Sequence, residues 1–410
     1  MKSKKATQES IQEHNIGLIL KLIKEKKNFT RAKLSAETGL SKSTISSLVD
    51  ILINKKIVTE GKKIDSERGK KPILLMFNKT YYYIMAINIG IDFITIAISD
   101  LCGEIIYRIQ KKNHPKSSRE KMLNNIFTII EEALKKSGID LKKIYLFSIG
   151  VHGAVNPVTK CLSLAPYFLK WHGINLVEIF KKKYKKEVIL ENSVNLGAIG
   201  EHWKNYSNIN NLIYLYIHYG TAAGIIINNK LIVGNNGTMG EIAYMPILKK
   251  YDLKKIKENK PELGLFESQV DIVGITNTVK KELKKKKDNS STIIDKDIDK
   301  INFNDICKYY NCHEDNDVKK IINNEVIKIL TIGIASMISV IDTNTIIING
   351  KIIELGEKFI NKLKNEIYSI SPFKPNIIIS NLKNDAPILG EIKFGLNYMN
   401  NILYNKFFLL

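Results

Sequence analysis

The sequence predicts an α/β protein preceded by a small helical module, and three observations carry that prediction. From Tyr82 onward, Ile-rich runs of strand length alternate with stretches of helical periodicity, which is the pattern of α/β architecture. Ahead of them lie three short amphipathic segments separated by residues that cap helices. Charge divides the chain at the same place. Residues 1–78 hold 17 Lys and Arg against 8 Asp and Glu, a net of +9, while residues 79–410 hold 46 against 33, a net of +13. With 410 residues and 44% hydrophobic content, the chain can bury a sizeable core. That excludes a disordered protein and a disulfide-stapled miniprotein. The overall +22 favours a polyanionic partner, nucleic acid or an anionic membrane surface. A compositional drift towards Lys, Asn and Ile competes as a source of part of that charge.

The elements follow in order. Ile16, Ile19, Leu20 and Ile23 recur at helical spacing, so a first helix runs from about Ile11 to Lys26. Thr30 is placed to cap a second helix, Arg31 to Thr38, expected to bury Ala32, Leu34 and Ala36. Gly39 suits the left-handed residue that ends it. Ser41 then caps a third helix whose inner stripe is Ile45, Leu48, Val49 and Leu52. Lys42, Ser43, Thr44, Ser46 and Ser47 are left on the outside. Two helices joined by a short Gly-containing turn describe a helix-turn-helix. The first turn of the third helix offers a Lys, small hydroxyls and polarised N–H groups to phosphates and base edges. Two strand-like segments, Ile57–Glu60 and Pro72–Phe77, flank a basic tip with Lys62, Lys63, Arg68, Gly69, Lys70 and Lys71. Such a tip makes a wing suited to a minor groove. The expected DNA contacts are Arg31, Ser41, Lys42, Ser43, Thr44, Ser46 and Ser47 from the helices, with Arg68, Lys70 and Lys71 from the wing.

In the larger part, strands are expected at Tyr83–Ile89, Phe93–Ile98, Ile144–Ile149, Val188–Leu190, Ile213–Tyr219, Gly224–Ile227 and Thr345–Ile348. Helices are expected at Glu120–Lys136, Leu176–Tyr184, Asp317–Ile341 and Glu357–Tyr368. Val279–Asp299, Lys-rich and then Asp/Ser-rich, reads as a solvated surface excursion. Cys102, Cys161, Cys307 and Cys312 form neither a disulfide framework nor a standard zinc spacing. The sequence shows no signal peptide and no run of 18 or more apolar residues. The expectation is therefore a cytoplasmic protein with no membrane partner.

These residues resemble the ROK family, the group of repressors and sugar kinases, and within it the xylose-repressor type. The likeness rests on the run from Arg31 to Ser46, on Ser66-Glu67-Arg68-Gly69-Lys70-Lys71-Pro72, and on body motifs, and it extends from about Ile11 to about Lys406. It implies a winged helix-turn-helix over 1–78 and, over 79–410, a two-lobed actin-like, sugar-kinase-like body for ligand binding and dimerisation. It also implies a sugar cleft between the lobes.

The family's kinase landmarks are eroded here. The first phosphate turn reads Asn88-Ile89-Gly90-Ile91-Asp92-Phe93, with a β-branched Ile and an acid where phosphate would approach. The second, Gly220-Thr221-Ala222-Ala223-Gly224, is partly intact, and the late glycine motif is reduced to Asn349-Gly350-Lys351. Where family kinases carry a catalytic Asp, this chain has Ser193, within Glu191-Asn192-Ser193-Val194-Asn195. Loss of a positioned general base costs on the order of 10²–10⁴ in rate. The sugar contacts survive better. The resemblance implies ligand roles for Gly153, Asn192, Glu241 and Glu267, with Tyr167 and Tyr244 at two further cleft positions. The family's zinc ligands fall at Tyr244, Glu258, Lys260 and Leu265, so neither a metal nor a cofactor is expected. Without zinc, Leu263, Leu265 and Phe266 are expected to hold that loop by packing.

The reading is a non-enzymatic, DNA-binding regulator, a repressor of sugar genes, bound as a homodimer (or tetramer) to a double-stranded operator and answering to a small sugar. Two rivals stand beside it. One is an active ATP-dependent sugar kinase with a DNA-binding arm, the other a ligand-free regulator controlled by a protein partner.

Overall fold

The structure, a computed structural model, describes residues 8–26, 28–63, 71–247, 264–286, 297–312, 316–405 and 407, apart from the side chains of 166, 167 and 169. The N-terminal module contains α1 (Gln8–Glu25), α2 (Arg31–Thr38), α3 (Lys42–Asn54) and an antiparallel pair, β1 (Val58–Lys63) and β2 (Ile73–Phe77). Its caps are the expected ones. Thr30 accepts from the Lys33 N–H, Gly39 takes φ +72°, and Ser41 accepts from the Thr44 N–H. The inner stripe of α3 is buried as predicted, but α2 buries Leu34 alone. Ala32 and Ala36 are exposed, because a two-turn helix against one neighbour turns a single large side chain inward. Arg68 and Lys70 lie outside the described residues.

The body repeats one topology twice. The first sheet runs β5 (Ile105–Lys112), β4 (Phe93–Asp100), β3 (Tyr83–Ile89), β6 (Ile144–Val151), β9 (Glu187–Asn192). The second runs β12 (Lys230–Leu231), β11 (Thr221–Ile227), β10 (Leu212–Ile217), β13 (Thr345–Asn349), β14 (Asn376–Ile379). In each, three antiparallel strands are extended by two parallel ones. β-branched Ile suits the central strands, and β13 is buried along its whole length, as strands covered on both faces are. The helices α4 (Arg119–Ser137) and α5 (Leu176–Tyr184) cover one face of the first sheet.

Between the lobes lie two packed helices, α6 (Ser193–Asn205) and the C-terminal helix Ala386–Asn405. The helix α6 seals one face of the second sheet through Val194 and Ala198, and the C-terminal helix seals the first through Ile388, Ile392 and Leu396. Neither was anticipated, nor was β5. The two helices meet backbone to backbone. A Cβ on Gly390 would stand 1.7 Å from the Leu196 carbonyl oxygen, and one on Gly200 2.1 Å from that of Ala386. The C-terminal helix then runs on into the N-terminal module. Leu403 and Phe407 are fully buried in that module's core, and Gly17 of α1 lets the Tyr404 carbonyl approach where a Cβ would stand at 1.9 Å. Lys24 Nζ donates to Asn400 Oδ1 at 2.6 Å.

Three further differences from the sequence reading have simple causes. The expected excursion at Val279 is still helix, Ile272–Lys286, with Val279 and Leu283 buried, because its lysines cover only the outer face. Residues 287–296 lie outside the described set. Among the described residues, one stretch, Asp317–Ile341, is long and apolar enough to cross a membrane by length and composition. Its Ile322, Leu330 and Ile334 are buried in the second lobe's core. Phe266 packs against Gly333 of that stretch, as its expected anchoring role requires, while Leu263 lies outside the described residues.

Candidate functional site

The outer face of α3 carries Ser41, Lys42, Ser43 and Ser47 exposed and Thr44 and Ser46 half-buried. The hydroxyl of Ser41 works inside the turn. It lies 2.8 Å from both Ser43 Oγ and Thr44 Oγ1 while capping the helix. The guanidinium of Arg31 is held within the module, donating to the Ser46 carbonyl and hydroxyl and pairing with Asp50 at 2.8 Å and Glu60 at 3.2 Å. Arg31 thus ties α2 to α3 and β1 and is not displayed towards a partner. Lys71 is exposed at the base of the wing.

In the body, the carboxyl ends of β3, β6 and β9 face the ends of β10 and β13 across the lobes, where the strand direction reverses in each sheet. Clefts at such switch points are the usual ligand sites of α/β folds. A cavity of about 60 Å³ here is lined by Gly153, Asn192, Glu241 and Glu267, four of the expected ligand residues. Gly153 has φ +139° and Asn192 follows β9 directly, so both are set by strand ends. Asn192 Nδ2 donates to the Gly153 carbonyl at 3.0 Å, and its Oδ1 caps α6 by accepting from the Val194 N–H at 2.7 Å. One N–H and one lone pair of that amide stay available for a ligand. Glu267 accepts from the Thr221 N–H at 2.8 Å. Burial raises the pKa of Glu267, and burial together with Glu267 raises that of Glu241 to about 7.

Tyr244 is half-buried in a 3-10 turn, Ile242–Tyr244, and does not line the cavity. Burial raises its hydroxyl pKa, with Glu241 and Glu267 adding to the effect. Tyr167 belongs to the turn Pro166–Trp171, and its side chain lies outside the described part. Glu258 and Lys260 also fall outside it. Among the described residues, no group of three or more His, Cys, Asp or Glu side chains is arranged to hold a metal ion.

Sequence reasoning missed Ile91, His152, Thr221 and Tyr216 as cavity residues. Only His152 carried a signal, as the residue before Gly153. Beyond them opens a cleft of about 580 Å³, lined by Asn88, Asp92, His218, Lys351 and Lys383 among others. Ser193 accepts a hydrogen bond from Asn88 Nδ2 at 3.1 Å, and the same amide donates to Glu391 Oε1 at 2.7 Å. Glu391 is completely buried, and that burial pushes its pKa well above the ordinary carboxyl range. The position is thus a neutral amide–hydroxyl–carboxylic acid cluster, with no base poised at Ser193 to take a proton.

The sequence model of the ROK family matches residues 84–395. The xylose repressor of Caldicellulosiruptor bescii is 31% identical over 394 residues, spanning 95% of this chain and 97% of that one. Among solved structures, a ROK family transcriptional regulator homologous to the Escherichia coli MLC protein superposes with a TM-score of 0.76. It shares 20% identity over 98% of both chains. A ROK family glucokinase from Streptomyces griseus, solved with glucose and AMPPNP, covers 76% of this chain and 98% of its own, with a TM-score of 0.61 and 19% identity. The two structural likenesses share the fold of the body.

Proposed function

The chain belongs to the ROK family, and on that footing we propose that it is a DNA-binding transcriptional repressor of sugar-uptake or sugar-catabolic genes, controlled by a carbohydrate in the interlobe cavity. One observation carries the reading. A single chain joins a winged helix-turn-helix to a cavity in which Gly153, Asn192, Glu241 and Glu267 converge. The relative named a xylose repressor, similar over nearly the whole chain, supports a pentose as effector. The Asn88–Ser193–Glu391 cluster supports a regulator without kinase activity. Lys42, Ser43, Thr44, Ser46 and Ser47 read a major groove, with Lys70 and Lys71 on the adjacent minor groove. Residues 1–78 supply the DNA-binding unit and 79–410 the ligand-binding and dimerisation body. Two copies bind an inverted repeat with half-site centres about one helical turn, ~10 bp, or a multiple of it apart.

Operator selection from a randomised duplex library with the full chain, repeated over a panel of monosaccharides and disaccharides, tests this. An inverted repeat released by a sugar is the expected result. The same sugar at about 100 times its Kd adds about 2.7 kcal/mol of stability in a thermal melt. Phosphate transfer from ATP to any sugar of the panel overturns the non-enzymatic part. Operator binding that no sugar alters overturns the effector part and favours a protein partner.

A further inference from the structure

The small cavity and the large cleft share three lining residues, Ile91, His152 and Tyr216. They come from both lobes. Ile91 lies in the β3–β4 turn and His152 at the end of β6, both in the first lobe, and Tyr216 lies on β10 of the second. The His152 and Tyr216 rings stand 5.9 Å apart, Tyr216 and His218 6.0 Å. His218 then faces Asp92 of the first lobe across 3.9 Å. A column of rings therefore crosses between the lobes, with about 60 Å³ on one side and about 580 Å³ on the other. The column is uncharged at neutral pH, since burial holds both His152 and His218 at about 4. On the cleft side, Asp92 adds a negative charge.

Resting on the carbohydrate reading above, we propose that Ile91, His152 and Tyr216 end the sugar subsite and select a free pentose over hexoses and sugar phosphates. Three physical points support this. The subsite holds on the order of five waters at about 10–15 Å³ each, and a five-carbon sugar displaces roughly that many. A hydroxymethyl group directed at the cleft would have to displace rings packed between two lobes, and close-packed interiors yield poorly to added volume. A phosphate at the same place would lose its hydration against neutral imidazoles and a phenol, facing Asp92 and no cation of the wall. The remaining walls suit hydroxyls. Glu241, Glu267 and Asn192 offer acceptors and a donor, and the buried Thr221 hydroxyl has no partner within the protein.

Calorimetric titration of the full-length protein with D-xylose, D-glucose and glucose 6-phosphate, in the wild type and in Tyr216→Ala, Tyr216→Phe and His152→Ala, tests the assignment. The wild type is expected to bind xylose at least about tenfold tighter than glucose, the discrimination typical of one small group in a closed pocket, and to show no binding of the phosphate. Tyr216→Ala and His152→Ala each shrink that ratio, by gaining glucose affinity and not merely by losing xylose affinity, while Tyr216→Phe keeps it. If Tyr216→Ala does not fold, as judged by its melt, His152→Ala decides. Wild-type binding of glucose or its phosphate as tight as that of xylose overturns the proposal. So does an unchanged ratio in the folded alanine variants. A wild type that binds none of the three overturns the carbohydrate reading as well, so the two failures are told apart.

Discussion

Glu241 is the residue whose chemistry most directly couples the cavity to pH. Burial, aided by Glu267, lifts its pKa to about 7 from the ordinary 4.5. A carboxyl raised in the folded state binds a proton that the unfolded chain has already released. Its favourable share of stability is therefore complete below about 4.5 and is lost as pH climbs through about 7. A sugar hydroxyl that donates to this group favours the carboxylate and pulls the pKa back down. Sugar affinity should then rise from pH 6 to pH 8, by up to about tenfold per unit while pH is below 7, and Glu241→Gln should flatten the profile. Titrations at three pH values check this, and a wild-type profile as flat as that of the variant would make Glu241 a bystander. Truncation to Glu241→Ala leaves sugar hydroxyls unpaired at a cost of about 1–3 kcal/mol, read as a tenfold to hundredfold weaker response to inducer with operator binding intact.

At the scale of elements, α3 and the wing divide the work of holding DNA. The short hydroxyls of α3 are displayed because Ile45, Leu48, Val49 and Leu52 turn the other way into the core. The wing contributes charge. Replacing Lys70 and Lys71 with Ala should weaken operator and nonspecific DNA alike and lower the salt slope of log K by about one unit per lost phosphate contact. Fluorescence anisotropy from 50 to 200 mM salt measures the slope, and an unchanged slope removes these lysines from the interface. Arg31 belongs to a different class. Its pairs with Asp50 and Glu60 brace α2, α3 and β1, so Arg31→Ala should lower the melting temperature more than it lowers the salt slope.

For the whole molecule, the route from cavity to DNA module is a pair of helices. Asn192 caps α6, α6 rests backbone to backbone on the C-terminal helix through Gly200 and Gly390, and that helix closes the DNA module's core with Leu403 and Phe407. The factor by which sugar weakens operator binding must equal the factor by which operator weakens sugar binding. Gly17→Ala tests the route. It raises intrinsic helix propensity in α1 by about 1 kcal/mol, yet places a Cβ 1.9 Å from the Tyr404 carbonyl oxygen. The variant should keep its sugar affinity in the absence of DNA while losing most of the sugar's effect on operator affinity. Full retention of that effect, measured by anisotropy with and without sugar, would send the coupling elsewhere.

Local chemistry by itself determined the DNA module, down to the caps at Thr30 and Ser41 and the left-handed Gly39, because capping and turn preferences act over four or five residues. It determined most of the Ile-rich strands for the same reason, and it identified Gly153, Asn192, Glu241 and Glu267, which converge on one cavity although they are distant in the chain. Tertiary structure decided what no local pattern encodes. The helix α6 and the C-terminal helix carry polar groups and glycines that break an amphipathic stripe, since each is buried on several sides between the lobes. Arg31 moved from partner surface to internal brace because Asp50 and Glu60 are neighbours only in the folded module. The wall of Ile91, His152 and Tyr216 exists only where three strand ends from two lobes meet. Its residues lie far apart along the chain, and it is packing across the cleft, not sequence spacing, that makes them one surface.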